Sequence, residues 1–213
     1  MDTDVKTSLC AIVLAAGASS RMGSVKAVLP LCGKTVLDRI MQTYLLAGIT
    51  EIRVVTGYDC EQVRTVLEKL PVQEVYNPRH TEGMYASVQC GIASCPPGIS
   101  GYFIHPADVP LVSPETIRRL SAETNRIGER IICPVFQGRR GHPLLVGASF
   151  RTAILDQDRS LGLKGLLNEH GDAIVPVIVD DPGILMNMNT PADYRDMISR
   201  IQRPSEDFRR GNE

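Results

Sequence analysis

Between Leu14 and Lys26 the chain reads LAAGASSRMGSVK, a run of small residues with two cations beyond it. Small side chains let main-chain amides and carbonyls approach a ligand closely, and turns of this kind make anion nests. An arginine fork and a lysine point charge suit an anion such as a polyphosphate. The segment therefore offers the chemistry of anion binding, with Arg21 and Lys26 as its cations. Asp108, in HPADVP, adds a carboxylate just past an apolar run. A carboxylate there can hold Mg²⁺ against phosphate oxygens.

Two familiar phosphate loops are excluded. The dinucleotide fingerprint G-x-G-x-x-G fails because five residues separate Gly17 from Gly23 and none of them is glycine. The P-loop fails because Val28 stands where Gly33-Lys34-Thr35 would need a preceding glycine. Gly33-Lys34-Thr35 reads instead as a turn before a helix capped by Thr35.

Positioning such groups needs a scaffold, and the hydrophobic pattern supplies one. Leu9–Leu14 is a continuous apolar run, as in a parallel strand buried on both faces. Further strands are expected over residues 51–57, 72–76, 101–110, 130–135, 143–146, 173–179 and 184–188. Helical spacing is expected over residues 35–47, 60–70 and 84–93, with two short helical pieces after residue 146. SPETIRRL opens a helix capped by Ser113, and TPADYRDMISRI opens the last one behind Thr190. Strands alternating with helices give a mostly parallel sheet, whose ligands sit beyond the strands' carboxyl ends. That rule selects the loops after Leu14, His105 and Met186.

The bulk composition agrees. The chain has 213 residues, 43% apolar and 22% charged, with a formal charge of −1. One α/β domain over residues 1–202 with a charged tail at 203–213 fits that length. The balance of charge excludes a broad nucleic-acid or membrane surface, and no apolar stretch reaches bilayer length. The polar start MDTDVKTS is no signal peptide. Six scattered cysteines without a C-x-x-C pair read as reduced thiols of a cytoplasmic protein, and four histidines lack metal-ligand spacing. Cys90 and Cys133 read as small core residues, His105 as a histidine buried in the sheet, and Arg139 and Arg140 as an exposed hairpin turn.

At LAAGASSRMGSVK the sequence resembles the MobA-like nucleotidylyltransferases, whose first loop reads L-A-[AG]-G-x-S-x-R-M-G-x-x-K. The resemblance continues in family order through EGMYASVQCGI, HPADVPLVSPETI, GRRGHPLLV, DRSLGLKGLL and GILMNMNTPADY, over roughly residues 9 to 200. It implies a single-domain, Rossmann-like three-layer α/β sandwich of the nucleotide-diphospho-sugar transferase kind. The Ala-Ala-Gly form and G-H-P look most like the molybdenum cofactor cytidylyltransferases, the MocA-like branch.

The resemblance implies a Mg²⁺-dependent transfer, with Mn²⁺ as an alternative, of CMP from CTP to the phosphate of a molybdopterin-type cofactor, releasing pyrophosphate. Leu14, Ala15, Ala16, Gly17, Ser19, Ser20, Gly23 and Ser87 would bind the nucleotide. Arg21 would hold its β- and γ-phosphates, and Lys26 would sit between the α-phosphate and the attacking phosphate. Asp108 and Asn189 would hold the metal, and His142 and Lys164 the acceptor. Asn187-Met188-Asn189 stands where the cytidylyl branch has aspartates, and matches the N-x-N-T-P of the guanylyl branch. In the family the third position of the first loop is glycine where GTP is used and alanine where CTP is used; here it is Ala16. Guanylylation, activation of a sugar or polyol phosphate, and a non-catalytic accessory to a molybdenum hydroxylase remain as alternatives.

Overall fold

The computed structural model describes residues 8–17, 25–123, 128–156 and 162–202. Strand β1 (Leu9–Leu14) is buried along its whole length. Its side chains alternate between two cores: Leu9, Ala11 and Val13 enter one, and Cys10, Ile12 and Leu14 the other. A strand with apolar residues on both faces must be covered on both sides, which makes the molecule three-layered.

β1 pairs in parallel with β4 (Glu51–Thr56) and with β6 (Gly101–Pro106). β5 (Gln73–Tyr76) extends the sheet beyond β4. On the other side of β6, β9 (Leu144–Gly147) runs antiparallel to both β6 and β7 (Ile131–Phe136). β10 (Ile174–Ile178) pairs in parallel with β7 at the far edge, giving the order β10-β7-β9-β6-β1-β4-β5. β8 (Arg139–Arg140) folds back on β7 as an exposed hairpin, as its composition predicts. A small hairpin of β2 (Pro30–Leu31) and β3 (Lys34–Thr35) precedes the first helix.

The first core is covered by α1 (Val36–Leu46), α2 (Cys60–Leu67), α4 (Pro114–Ala122) and α7 (Pro191–Gln202). α3 (Met84–Ala93), α5 (Arg151–Asp156) and α6 (Gly162–Glu169) cover the second. α1 starts where expected: the Thr35 hydroxyl accepts the Asp38 N–H at 3.1 Å, and Asp38 accepts the Thr35 N–H at 2.9 Å. Ser113 caps α4 by accepting the Thr116 N–H at 3.2 Å, with Pro114 at the first helical position. Cys133 is buried and Cys90 half-buried against the second core.

His105 is fully buried in β6, as predicted. Its Nδ1 lies 2.9 Å from the Tyr44 hydroxyl and its Nε2 2.8 Å from the Val109 carbonyl. Burial pushes its pKa down to about 4, so the ring is neutral.

The expected last strand over residues 184–188 is not a strand. The segment is a 3-10 turn (Pro182–Leu185) followed by an extended strap. Close packing explains this. Gly183 sits so near Leu111 that a Cβ would stand 2.0 Å from the Leu111 carbonyl oxygen, and its N–H is taken by buried Asp181 at 2.8 Å. The strap's polar backbone instead serves loops: Ile184 accepts the His142 N–H at 3.0 Å, and the Met188 N–H donates to the Asp108 carbonyl at 2.7 Å. Among the described residues no helix is long and apolar enough to cross a membrane. The tail expected at 203–213 lies outside the described residues.

Candidate active site

Three parallel strands end together and their loops are stitched to one another. The Ala15 N–H donates to Val55 at 2.8 Å, the Tyr58 N–H to Ala16 at 3.3 Å, and the Ala107 N–H to Leu14 at 3.1 Å. This places Leu14, Ala15, Ala16 and Gly17 on the floor of a cavity of about 260 Å³ at the carboxyl edge of β6, β1 and β4. The position is the one that parallel sheets offer to ligands.

One wall comes from the turn His80–Glu82 and the start of α3, through His80, Met84 and Ser87. Ser87 is buried, and its hydroxyl accepts from the Asn77 amide at 3.0 Å. Gly57 makes the approach of this wall possible. A Cβ there would stand 2.4 Å from His80 Cβ and 3.0 Å from Ala16 Cβ. The small residue after β4 thus lets the wall and the floor meet.

The other end of the cavity is polar. The Lys26 ammonium donates to Asn189 Oδ1 at 2.9 Å and lies 3.7 Å from Asp108 Oδ2. Two oxygens from distant segments therefore converge on one cation. α7 holds Asn189 there: Asp193 accepts the N–H groups of Asn189 and Thr190 at 3.0 and 2.8 Å, while the Thr190 hydroxyl accepts the Asp193 N–H at 3.2 Å. The Thr190 hydroxyl first, then the two backbone amides, hold the Asp193 carboxyl below its ordinary pKa.

His142 is the other notable group. Its Nδ1 is buried with no partner among the described residues. Burial lowers its pKa, and the Asp108 charge acts against that shift, so the ring lies within the field of the cavity's carboxylate. A buried imidazole nitrogen without a partner is costly unless a ligand satisfies it.

Leu14, Ala15, Ala16, Gly17, Lys26, Ser87 and Asp108 thus meet around one cavity, with Asn189 against Lys26. Asn187 points elsewhere: it is exposed and borders a second hollow of about 480 Å³ with Arg139, Met186 and Arg200. Lys164 is exposed on α6 and borders neither hollow. Ser19, Ser20, Arg21 and Gly23 lie outside the described residues. Sequence reasoning missed His80, Gly57 and Met84. The signal for Gly57 was present: it follows an apolar parallel strand, where the carboxyl-edge rule applies as it does after Leu14. No local pattern marks His80.

The family model described as "MobA-like NTP transferase domain" matches residues 11–174. The chain is 25% identical over 186 residues to the molybdenum cofactor cytidylyltransferase of Escherichia coli, covering 86% of this chain and 92% of that protein. It is 27% identical to a probable molybdenum cofactor guanylyltransferase of Bacillus cytotoxicus, covering 90% and 97%. It is also 30% identical to the nicotine blue oxidoreductase of Paenarthrobacter nicotinovorans, covering 72% and 77%. Against the bifunctional protein GlmU of Halorhodospira halophila it is 32% identical but spans only 25% of that protein's length. A nucleotidyl transferase from Methanothermobacter superposes with a TM-score of 0.80 at 27% identity, covering 93% of this chain and 99% of that one. The chain belongs to the MobA-like NTP transferase family, and the enzyme class that goes with this membership is nucleotidyl transfer.

Proposed function

We propose that the chain transfers CMP from CTP to the phosphate of a molybdopterin-type cofactor and releases pyrophosphate. The observation that carries the reading is the convergence of Asp108 and Asn189 on Lys26 at the polar end of a cavity floored by Ala15 and Ala16. The relatives named as molybdenum cofactor cytidylyl- and guanylyltransferases support the acceptor class.

The donor set fits a hard divalent cation. A carboxylate and an amide oxygen already face one cation, and Mg²⁺ is satisfied with one or two protein oxygens plus waters and phosphates. Among the described residues no three His, Cys, Asp or Glu side chains gather, and a Mg²⁺ ion held here would take its remaining oxygens from phosphates and water. Asp108 and Asn189 would hold the ion, whose chemistry there is neutralisation of charge on the transferred group. Two anions must meet for the acceptor phosphate to attack the α-phosphorus in line, so the residues position and neutralise. Lys26 stands beside the metal ligands, where it neutralises charge shared between donor and acceptor phosphates. The main chain of Ala15 to Gly17 seats the base and ribose against Ser87 and His80, and Arg21 would hold the outer phosphates. The unpartnered Nδ1 of His142 supports an acceptor-side role for that ring.

Guanylylation is the second reading, favoured by Asn189 and by the guanylyltransferase relative. One assay separates the readings. The protein is incubated with Mg²⁺, each of the four nucleoside triphosphates and purified molybdopterin cofactor, and pyrophosphate is measured. Acceptor-dependent release with CTP supports the proposal, and a preference for GTP replaces it by the second reading. Release without acceptor dependence overturns the acceptor, and none with any nucleotide overturns transfer.

A further inference from the structure

At the end of β1 remote from the cavity, two thiols face each other. Cys10 is the second residue of β1 and fully buried; Cys95 follows α3 and is 6% exposed. Their sulfurs lie 3.4 Å apart although 85 positions separate them in the chain. Two thiols in direct contact differ from the scattered core cysteines elsewhere in the molecule, because a small rotation can bring them to bonding distance.

Two arginines and one glutamate surround them. Arg151 donates to the Ile92 and Ala93 carbonyls at 2.5 and 3.2 Å, capping the end of α3 just before Cys95. Arg53, nearly buried, pairs with Glu51 and leaves its Nε without a partner among the described residues. The contact with Cys10 first, then Arg53 and Arg151, draws the pKa of Cys95 down against burial and Glu51, while Cys95 and burial raise that of Cys10. Cys95, 6% exposed where Cys10 is fully buried, is the thiol an oxidant reaches first, and Cys10 is its resolving thiol.

We propose that Cys10 and Cys95 are a reversible redox site, oxidised to an intramolecular disulfide by a peroxide. The Cys95 thiolate attacks one peroxide oxygen, the O–O bond breaks, and hydroxide leaves to take up a proton as water. The sulfur of Cys10 then attacks the Cys95 sulfenic acid; the S–O bond breaks and a second water leaves with the Cys10 proton. Two thiols lose two electrons, and one hydrogen peroxide becomes two waters. An external dithiol reverses the bond by exchange. With Cys95 6% exposed and Cys10 fully buried, the oxidant is a small peroxide rather than another protein's disulfide. The bond ties β1 to the end of α3, the two elements whose other ends floor and wall the cavity.

The test uses the native full-length chain. It is treated with hydrogen peroxide, its remaining thiols are blocked with a maleimide, and its peptides are mapped by mass spectrometry. The expected result is loss of two of the six thiols, one peptide pair joining Cys10 to Cys95, and full recovery with dithiothreitol. Cys10→Ser should stop at a sulfenic acid on Cys95 that dimedone traps. A folded wild-type protein that keeps all six thiols, or that joins a different pair, overturns the proposal. The wild-type map decides the matter if the serine variant fails to fold.

Discussion

Replacing Gly57 by alanine puts a methyl group where space is already filled. The new Cβ would stand 2.4 Å from His80 Cβ, 2.8 Å from His80 Cγ and 3.0 Å from Ala16 Cβ. Carbon atoms rest about 3.5 Å apart at closest, so His80 must retreat by roughly 1 Å. The backbone at Gly57 accepts alanine, so the whole effect comes from this collision. His80 is anchored by its N–H to the Asn77 carbonyl at 3.2 Å, and the shift passes into the turn that walls the cavity. Overpacking of this kind costs roughly 1–3 kcal/mol. At about 2–4 °C per kcal/mol for a chain of this size, Tm should fall by roughly 2–12 °C. A wall displaced by about 1 Å beside a reacting nucleotide should lower kcat/KM by up to about a hundredfold. Thermal unfolding reads the first effect, and pyrophosphate release with nucleotide titration reads the second. Adding His80→Gly removes both colliding atoms of that side chain, Cβ and Cγ, and should restore part of the Tm, a coupling that a double-mutant cycle measures. Unchanged Tm, affinity and turnover in Gly57→Ala would refute the placement of His80 as a packed wall of the nucleotide site.

Lys26→Ala should lower kcat by roughly 10²–10³ with little change in KM, as for loss of one preorganised donor; a rise in KM alone would show uniform binding instead. Ala16→Gly should narrow a preference for CTP over GTP of about 10–200-fold by admitting the larger base; an unchanged ratio of kcat/KM values would move the specificity to the wall of Gly57 and His80. Stability should fall on acidification between the unfolded histidine pKa, about 6.5, and the folded value of about 4 for His105. Below pH 6.5 the unfolded chain binds the proton that the buried ring refuses, so the loss grows to roughly 3 kcal/mol near pH 4 and is absent above pH 7. The lowered pKa of His142 acts with the same sign. Denaturant unfolding across that range checks this, and a flat profile in the wild type would contradict a neutral buried His105.

The parallel strands and the caps were legible because they rest on local rules. Leu9–Leu14 is apolar at every position and short, as in a strand covered on both sides, and Thr35 and Ser113 carry their capping partners three residues on. The segment 184–188 misled because an apolar run does not say what its backbone pairs with. Its hydrogen bonds go to His142 and Asp108, which are remote in sequence, and the contact of Gly183 with Leu111 exists only after folding. The floor of the candidate site, and Ser87 in its wall, were legible from motifs of fixed residues, whereas the part of the wall that His80 makes was not. His80 enters through a turn whose position depends on Gly57, on a different strand loop, and no spacing in the sequence encodes that meeting.

The neutral ligand proposed at Asn189 has a consequence for when a metal binds. Lys26 and Asp108 balance each other's charge, and Asn189 adds an oxygen without adding charge. A free divalent ion thus meets one carboxylate already beside an ammonium, which is a weak site, and phosphates must bring the missing negative charge. The metal should then enter with the nucleotide. Asn189→Asp tests this, because it keeps an oxygen at the same place and adds one negative charge next to Lys26. The variant should bind Mn²⁺ in the absence of nucleotide roughly tenfold more tightly, a gain of about 1.4 kcal/mol. Titration of free Mn²⁺ by electron paramagnetic resonance, on the wild type and the variant, gives both constants directly. Equal affinities would show that the oxygen at position 189 does not face the ion, and that the contact with Lys26 positions the lysine alone.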